Sequence, residues 1–112
     1  MTAFRLLLAS IFIVISAYTV IVIADHGPNL FPVFFGDVAD LTWRGQFNVD
    51  FMCFLALSAL WVMWRHAFSP VGLALGIVAF FGGALFLSIY LLVAGFQVNG
   101  DQKALLLGTS RV

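Results

Sequence analysis

Three long apolar runs, separated by two more polar connections, organise the 112 residues of the chain. The runs cover residues 6–24, 47–65 and 71–96, and the second reaches full length only if the polar stretch QFNVD (46–50) forms its beginning. About 20 mostly apolar residues cross the ~30 Å hydrocarbon core, and backbone in lipid must satisfy its hydrogen bonds within the segment. The pattern predicts an all-α membrane protein in which three transmembrane helices form one integral membrane domain over residues 1–112.

The two connections predict different structures. The second, residues 65–70, is so short that spans two and three must form an antiparallel hairpin, with Ser69 as N-cap and Pro70 at the first helical position. The first, residues 25–42, carries apolar side chains at helical spacing: Phe31, Phe34, Val38 and Leu41. It predicts a short amphipathic segment in the headgroup region. An exposed loop is the alternative, but it would leave several phenylalanines in water.

Composition supports lipid as the main surroundings, because 63% of the residues are hydrophobic and only 9% are charged. Five Lys and Arg balance five Asp, and no basic cluster exists, so nucleic acid is excluded as a partner. The single Cys53 is interpreted as a small buried apolar residue. The 19-residue run after Arg5 exceeds the ~7–15 residues of a secretory signal core, so we expect it to be retained as a span.

Basic residues give no clear orientation to the three spans. Arg5 and Arg65 would lie on one side, and Arg44, Lys103 and Arg111 on the other, so the count opposes an internal N-terminus by one residue. Arg5 and Arg65 nevertheless lie close to the membrane ends, and all five acids fall on the opposite side. We therefore expect a cytoplasmic N-terminus and a periplasmic C-terminus.

Small residues predict where the helices pack. The third span has Gly72 and Gly76 one turn apart, and at helical spacing the stripe continues through Ala79 and Gly83 to Tyr90. The first span has a small-residue heptad of its own: Ala3, Ser10, Ala17 and Ala24. Such stripes let helix backbones approach closely, either within the chain or against another subunit. Four residues at span boundaries are expected to act as interfacial anchors: Trp43, Trp61, Trp64 and Arg65.

Polar side chains are expected to gather where span one ends, span two begins and span three ends. This predicted rim is a candidate ligand-binding site made of Asp25, His26, Gln46, Asp50 and Tyr90. The simpler interpretation makes QFNVD the first turn of a helix, with Asp50 stabilised by the helix dipole and Thr42 or Asn48 as cap. Asp25, His26 and Asp50 are adequate metal ligands, but their spacing matches no metal motif, so no metal is predicted.

No motif in the sequence points to a particular cofactor, so whether the protein binds one is left open. His26 and His66 are expected at opposite faces and cannot jointly ligate one haem. A single histidine beside a small-residue surface suits a chlorophyll-type pigment, but no other residue favours that interpretation.

Five short stretches follow one another along the chain: "HG", "GQFNVDF", "WVMWR", "SP" and "FGGALFLSIYLL". In the order of these stretches the chain resembles a family of small bacterial membrane proteins known only as a domain of unknown function. The resemblance covers residues 18–92. The matching positions are His26, Gly27, Gln46, Asp50, Trp61, Trp64, Arg65, Gly83 and Tyr90. It implies a three-span fold in the bacterial inner membrane and no reaction. Relatives have a longer, more charged second connection, and Gly-Pro where this chain has Gly-Gly-Ala, which predicts the loss of a kink.

Two functions are compatible with these features. The first is a non-catalytic accessory or structural subunit that packs against a larger membrane complex, with the bilayer and other subunits, or a second copy of itself, as partners. The second is a homo-oligomeric binding or transport protein that uses Asp25, His26, Gln46 and Asp50 at the outer face. A third function, an enzyme that acts on lipid or quinone substrates, is not expected, because no Ser-His-Asp set, glycine-rich phosphate loop or cysteine pair is present.

Overall fold

The computed structural model describes residues 1–111, and the regular structure in this range is helical. It consists of α1 (Thr2–His26), α2 (Phe31–Ala39), α3 (Trp43–Arg65), α4 (Pro70–Gln97), α5 (Gln102–Leu107) and a 3-10 turn at Thr109–Arg111. Helices α1, α3 and α4 are long and apolar enough to cross a membrane. The predicted all-α fold with three such helices is therefore confirmed.

The beginning of α3 differs from the prediction for QFNVD. The helix begins at Trp43, so Gln46 to Asp50 lie in its second and third turns and not in its first. Thr42 occupies the N-cap position, but its side chain makes no capping hydrogen bond. The Asn48 side chain donates instead to the Phe34 carbonyl of α2 at 3.1 Å. Asp50 is therefore too far from the beginning of α3 for its carboxylate to be stabilised by the positive end of the helix dipole.

The short helix expected between the first two spans is α2, with Pro32 in its first turn. It packs antiparallel against the beginning of α3, because Gly45 lies directly under the backbone of Asp37 and Val38. A methyl group at position 45 would collide with the Asp37 carbonyl, so the contact requires glycine. Leu41, which was expected to continue the apolar face, lies beyond the helix with a φ of 54°.

The connection between α3 and α4 forms as predicted. The Ser69 hydroxyl accepts a hydrogen bond from the Gly72 amide at 3.1 Å, and Pro70 begins α4. Gly72 and Gly76 are buried, the first against His66 and the second against Met63. Ala79 is fully buried beside Val62. Close approach of α3 and α4 therefore depends on small side chains, as expected for helices that lipid does not force together.

Helix α4 reverses its direction at Gly83. This residue has φ 55° and ψ −141°, a combination that side chains with a Cβ atom strongly disfavour. Gly72, before the bend, touches His66, and the Tyr90 hydroxyl, after it, lies 2.7 Å from His66 Nε2. In a straight helix Gly72 and Tyr90 would be ~27 Å apart, more than two side chains can bridge. The two halves of α4, residues 70–82 and 84–97, therefore form a helical hairpin.

This reversal corrects two predictions. The expected loss of a kink at Gly-Gly-Ala is wrong, because Gly83 provides the bend itself. The stripe from Gly72 through Gly83 to Tyr90 is not one continuous helix face, although all of these residues lie against α3. Small residues before the bend and Tyr90 after it contact α3 from two separate half-helices.

Both ends of the described chain lie at the same end of the bundle. Met1 contacts Gly95 and Gly100, and Arg65 contacts α5. We call this the terminal end, and it contains Met1, Arg65 and α5. The opposite end, which we call the loop end, contains His26, α2 and Trp43. The hairpin of α4 starts and finishes at the terminal end, and its bend reaches Phe51 and Leu55 of α3.

Helix α1 packs against α4 with one stripe of side chains. Leu8 is buried, and Phe12, Ile15 and Thr19 continue the contact at intervals of three or four residues. Residues 20–30 are all exposed, so α1 projects beyond its contact with the hairpin. The small-residue heptad of α1 is exposed along its whole length: Ala3, Ser10, Ala17 and Ala24. It therefore does not face the stripe of α4.

We predict that Gly83→Ala lowers the free energy of unfolding by about 1–3 kcal/mol, because alanine is strained at this φ and ψ. Its Cβ would also lie 3.2 Å from the Phe51 ring. Gly36→Ala is the matched control, since a Cβ at this helical glycine meets nothing within 4 Å. Thermal unfolding in detergent, followed by circular dichroism, measures both. Equal stability of Gly83→Ala and wild type would contradict the bend.

Candidate functional sites at the two ends of the bundle

Arg65 is a buried cation at the terminal end, with 7% of its surface exposed. Its Nε donates to the Leu105 carbonyl at 2.6 Å, and Nη1 donates to the Tyr90 hydroxyl at 3.0 Å. Among residues 1–111 the one salt bridge is Arg44–Asp37, so Arg65 has no carboxylate partner there. Its charge is stabilised instead by neutral oxygens, including a last-turn carbonyl of α5, where the helix dipole is negative.

Tyr90 links Arg65 to His66. The hydroxyl oxygen accepts from Arg65, which leaves the hydroxyl proton free for His66 Nε2 at 2.7 Å. A neutral His66 with an unprotonated Nε2 can accept this proton. Burial, together with the neighbouring Arg65 charge, lowers the pKa of His66 below its ordinary value. Geometry and electrostatics thus agree on a chain that runs from Arg65 through Tyr90 to His66.

The C-terminal segment is fastened to the end of α3 by the same group of side chains. Trp61 Nε1 donates to the Leu106 carbonyl at 3.1 Å, next to the bond between Arg65 and Leu105. The last-turn carbonyls of a helix lack intrahelical donors, so Trp61 and Arg65 supply them for α5. Gly108, with φ 84°, ends α5 against the Arg65 carbonyl, where any Cβ would collide.

The four predicted anchors occupy different surroundings. Trp43 is exposed at the loop end, as an interfacial anchor would be. The Arg111 guanidinium carbon lies 4.1 Å from the ring centre of Trp64. The Trp64 backbone carbonyl also accepts a hydrogen bond from Arg111. Trp61 and Arg65 are engaged within the protein and hold α5. Since Arg65 is buried, it does not point freely into the headgroups.

Charge is strongly divided between the two ends. Four of the five basic side chains belong to the terminal end, where Asp101 caps α5 and is the one acid: Arg5, Arg65, Lys103 and Arg111. The other four acids belong to the loop end, where Arg44 is the one base: Asp25, Asp37, Asp40 and Asp50. The net charges are therefore +3 and −3, from 4 − 1 and 1 − 4. This division follows from the reversal of α4.

An open groove of about 610 Å³ lies at the loop end. Val38, from the end of α2, and Leu41, just beyond that helix, form an apolar wall, and Thr42, Gln46 and Asp50 form a polar edge. These three polar residues are four apart, so they follow one face of α3. The groove therefore combines an amphipathic surface with one carboxylate.

The structure brings together only two of the five predicted ligand-binding residues. Gln46 and Asp50 share the groove, whereas Asp25 and His26 end α1 as exposed side chains outside its lining. Tyr90 lies at the terminal end, because the bend carries it away from the predicted rim. In the described part of the chain, no group of three or more His, Cys, Asp or Glu side chains is placed to hold a metal ion.

The cluster of Arg65, Tyr90 and His66 is the feature that sequence reasoning missed. Arg65 was interpreted as a headgroup anchor and Tyr90 as part of the opposite rim. The available signal was the Gly82-Gly83 pair within an apolar run, since glycine inside a helical pattern is a point where the backbone can turn. A hairpin at that position would have placed Tyr90 beside Arg65.

Comparisons of the chain with protein-family models, curated proteins and solved structures gave no match.

We predict that the free energy of unfolding decreases as the pH falls from ~6.5 through the pKa of His66 in the folded protein. Because this pKa is lowered, the unfolded chain binds the proton more readily, and the full stability is present above pH ~6.5. His66→Gln should flatten the dependence, and His26→Gln, which keeps His66, should preserve it. Denaturation between pH 5 and 8 tests this, and equal slopes in His66→Gln and wild type would refute it.

Proposed function

We propose that the chain is a non-catalytic accessory or structural subunit of the bacterial inner membrane, which packs against a larger membrane complex. The observation that carries this proposal is the exposed small-residue heptad of α1, Ala3 to Ala24. Its spacing suits close helix packing, yet the chain uses the other side of α1 for its own contacts. A partner helix would occupy the free side.

The small buried fraction of the spans supports the same proposal. Each of α1, α3 and α4 buries only a minor part of its apolar stretch within the chain. The fully or nearly fully buried core is limited to a few side chains around Val62 and Ala79. The conspicuous polar groups of the terminal end hold α5 in place, which is a structural task.

We further propose that both termini face the cytoplasm. This replaces the periplasmic C-terminus expected from a straight third span. With α4 as a hairpin that enters and leaves at the terminal end, four bases lie at that end and one at the other. The excess of Lys and Arg on one side then favours a cytoplasmic terminal end, whereas the earlier count favoured neither side.

A homo-oligomeric binding or transport protein is the alternative, and the groove beside Gln46 and Asp50 favours it. Two of its four proposed ligands, Asp25 and His26, lie outside that groove. Three helices are also too few to enclose a pathway, so this function requires several copies. We therefore prefer the accessory role.

Topology reporters test the proposed orientation. We expect cytoplasmic signals from fusions at Met1 and after Arg111, because both positions belong to the terminal end. A fusion in the connection between α1 and α2, after Gly27, should report the periplasm and serves as the control. A periplasmic signal from the C-terminal fusion would contradict the proposal.

Native extraction tests the accessory role. Purified from its own membrane in mild detergent, the protein should migrate with other subunits as a defined complex. Ala17→Phe, which places a large ring on the free heptad, should release it, while Val22→Phe, at an exposed α1 position turned by ~140° from Ala17, should not. A monodisperse monomer from wild-type membranes would count directly against this function.

A further inference from the structure

One face of α3 carries polar side chains away from the bundle. Gln46, Asp50, Cys53 and Leu57 recur every three or four residues, and all four are exposed. We call this the Asp50 face. The other side of α3 is the one that packs, with Gly45, Ala59 and Val62 buried against α2 and α4. The Asp50 carboxylate thus lies on the free side of α3, at the polar edge of the groove beside Val38 and Leu41.

Asp50 lies inside the hydrocarbon layer if α3 crosses the membrane. It precedes Arg65 by 15 residues, which corresponds to ~22 Å along the helix. If the end of α3 at Arg65 marks one boundary of a ~30 Å core, Asp50 is ~8 Å inside the other boundary. Ionisable side chains at such depth normally face a protein interior, pair with another group, or line water.

The chain itself offers no base at this depth. Across residues 1–111, Asp50 has neither a hydrogen-bond partner nor a salt-bridge partner. Arg44 lies six residues, or ~9 Å, nearer the surface, and its Nε is 3.8 Å from Asp37. The remaining bases belong to the terminal end.

A second copy of the chain is not a suitable partner. A symmetric contact about an axis along the membrane normal would bring Asp50 against Asp50 at the same depth. Like charges at such an interface repel each other. The partner segment must also be helical, because a segment in lipid has to satisfy its backbone hydrogen bonds within itself.

We propose that the Asp50 face binds a transmembrane helix of a different subunit. This helix presents a lysine or arginine to Asp50 about 8 Å inside the periplasmic boundary of the hydrocarbon core. The Gln46 amide lies one turn nearer the surface and supplies a further hydrogen bond. The inference rests on the proposed accessory role and names the surface and the chemistry of its partner. Exposed apolar residues such as Leu57 and Leu60 extend the contact towards the membrane centre.

Cys53 provides a native probe of this face, since it is the one cysteine of the chain. The prediction that it is buried is wrong, because it lies exposed three residues from Asp50 on the free side of α3. The experiment labels native membranes of wild type and of variants with a lipid-soluble maleimide, so that the surroundings of the thiol are the same in each. We expect labelling of Cys53 to be at least about tenfold slower in wild type than in Asp50→Asn, because a bound helix covers the thiol only when Asp50 holds it. Asp40→Asn, outside α3, should label as slowly as wild type.

A photoreactive amino acid incorporated during synthesis in place of Leu57, which lies on the Asp50 face, then identifies the neighbour. The cross-linked peptide should come from a transmembrane helix with Lys or Arg within about two turns of the cross-link. Asp50→Lys should lose the adduct, and exchange of that partner base for Asp should restore it. Circular dichroism of each variant shows that folding is retained.

Three results would overturn the inference. They are an adduct to a second copy or to lipid alone, a neighbouring helix without a base, or equal labelling of wild type and Asp50→Asn. If native extraction still retains partner subunits in these cases, the accessory role stands and only the assigned surface is wrong. If no subunit is retained and Cys53 labels freely, both proposals fail.

Discussion

The reversal of α4 at Gly83 is the constraint on which the other features of the structure depend. A helix in lipid keeps its backbone hydrogen bonds within the segment, so turning inside the bilayer is tolerated only where packed protein surrounds the turn. Gly83 adopts a conformation closed to other residues, and Phe51 and Leu55 of α3 lie against it. The bend converts one long apolar helix into two short ones and returns the chain to the end where it started.

Three consequences follow from that return. Tyr90 reaches Arg65 and His66, so a buried guanidinium is satisfied without a carboxylate. The C-terminal segment reaches the end of α3, where Trp61 and Arg65 bond to the carbonyls of α5. Four basic residues from three parts of the sequence collect at one end, and four of the five acids remain at the other. A straight α4 would permit none of these.

The sequence predicted those features that depend on local patterns. Apolar periodicity located the three long helices, and Ser69-Pro70 located the beginning of α4. The rim of Asp25, His26, Gln46, Asp50 and Tyr90 failed as a unit, because its assembly assumed a straight third helix. QFNVD was predicted as the first turn of α3, one turn earlier in the helix than it lies, because the prediction again could not see a tertiary contact. The helix begins at Trp43, where α2 covers Gly45, and that contact is tertiary.

Charge and exposure favour an association role for the molecule. Side chains that could carry chemistry at the terminal end are occupied in holding α5, whereas the free sides of α1 and α3 carry small residues and one unpaired carboxylate. Both free sides would contact other helices in a larger assembly. With both termini in the cytoplasm, as proposed, the acidic loop end would face the periplasm.

The distance across the bend is the most direct measurement of this account. Spin labels at Val71→Cys and Val93→Cys, two exposed positions on either side of Gly83, would be introduced into a Cys53→Ser background and measured in lipid nanodiscs. The hairpin predicts a separation of about 20 Å, whereas 22 residues of straight helix give ~33 Å. A single distance distribution centred near the longer value would contradict the reversal and every conclusion drawn from it.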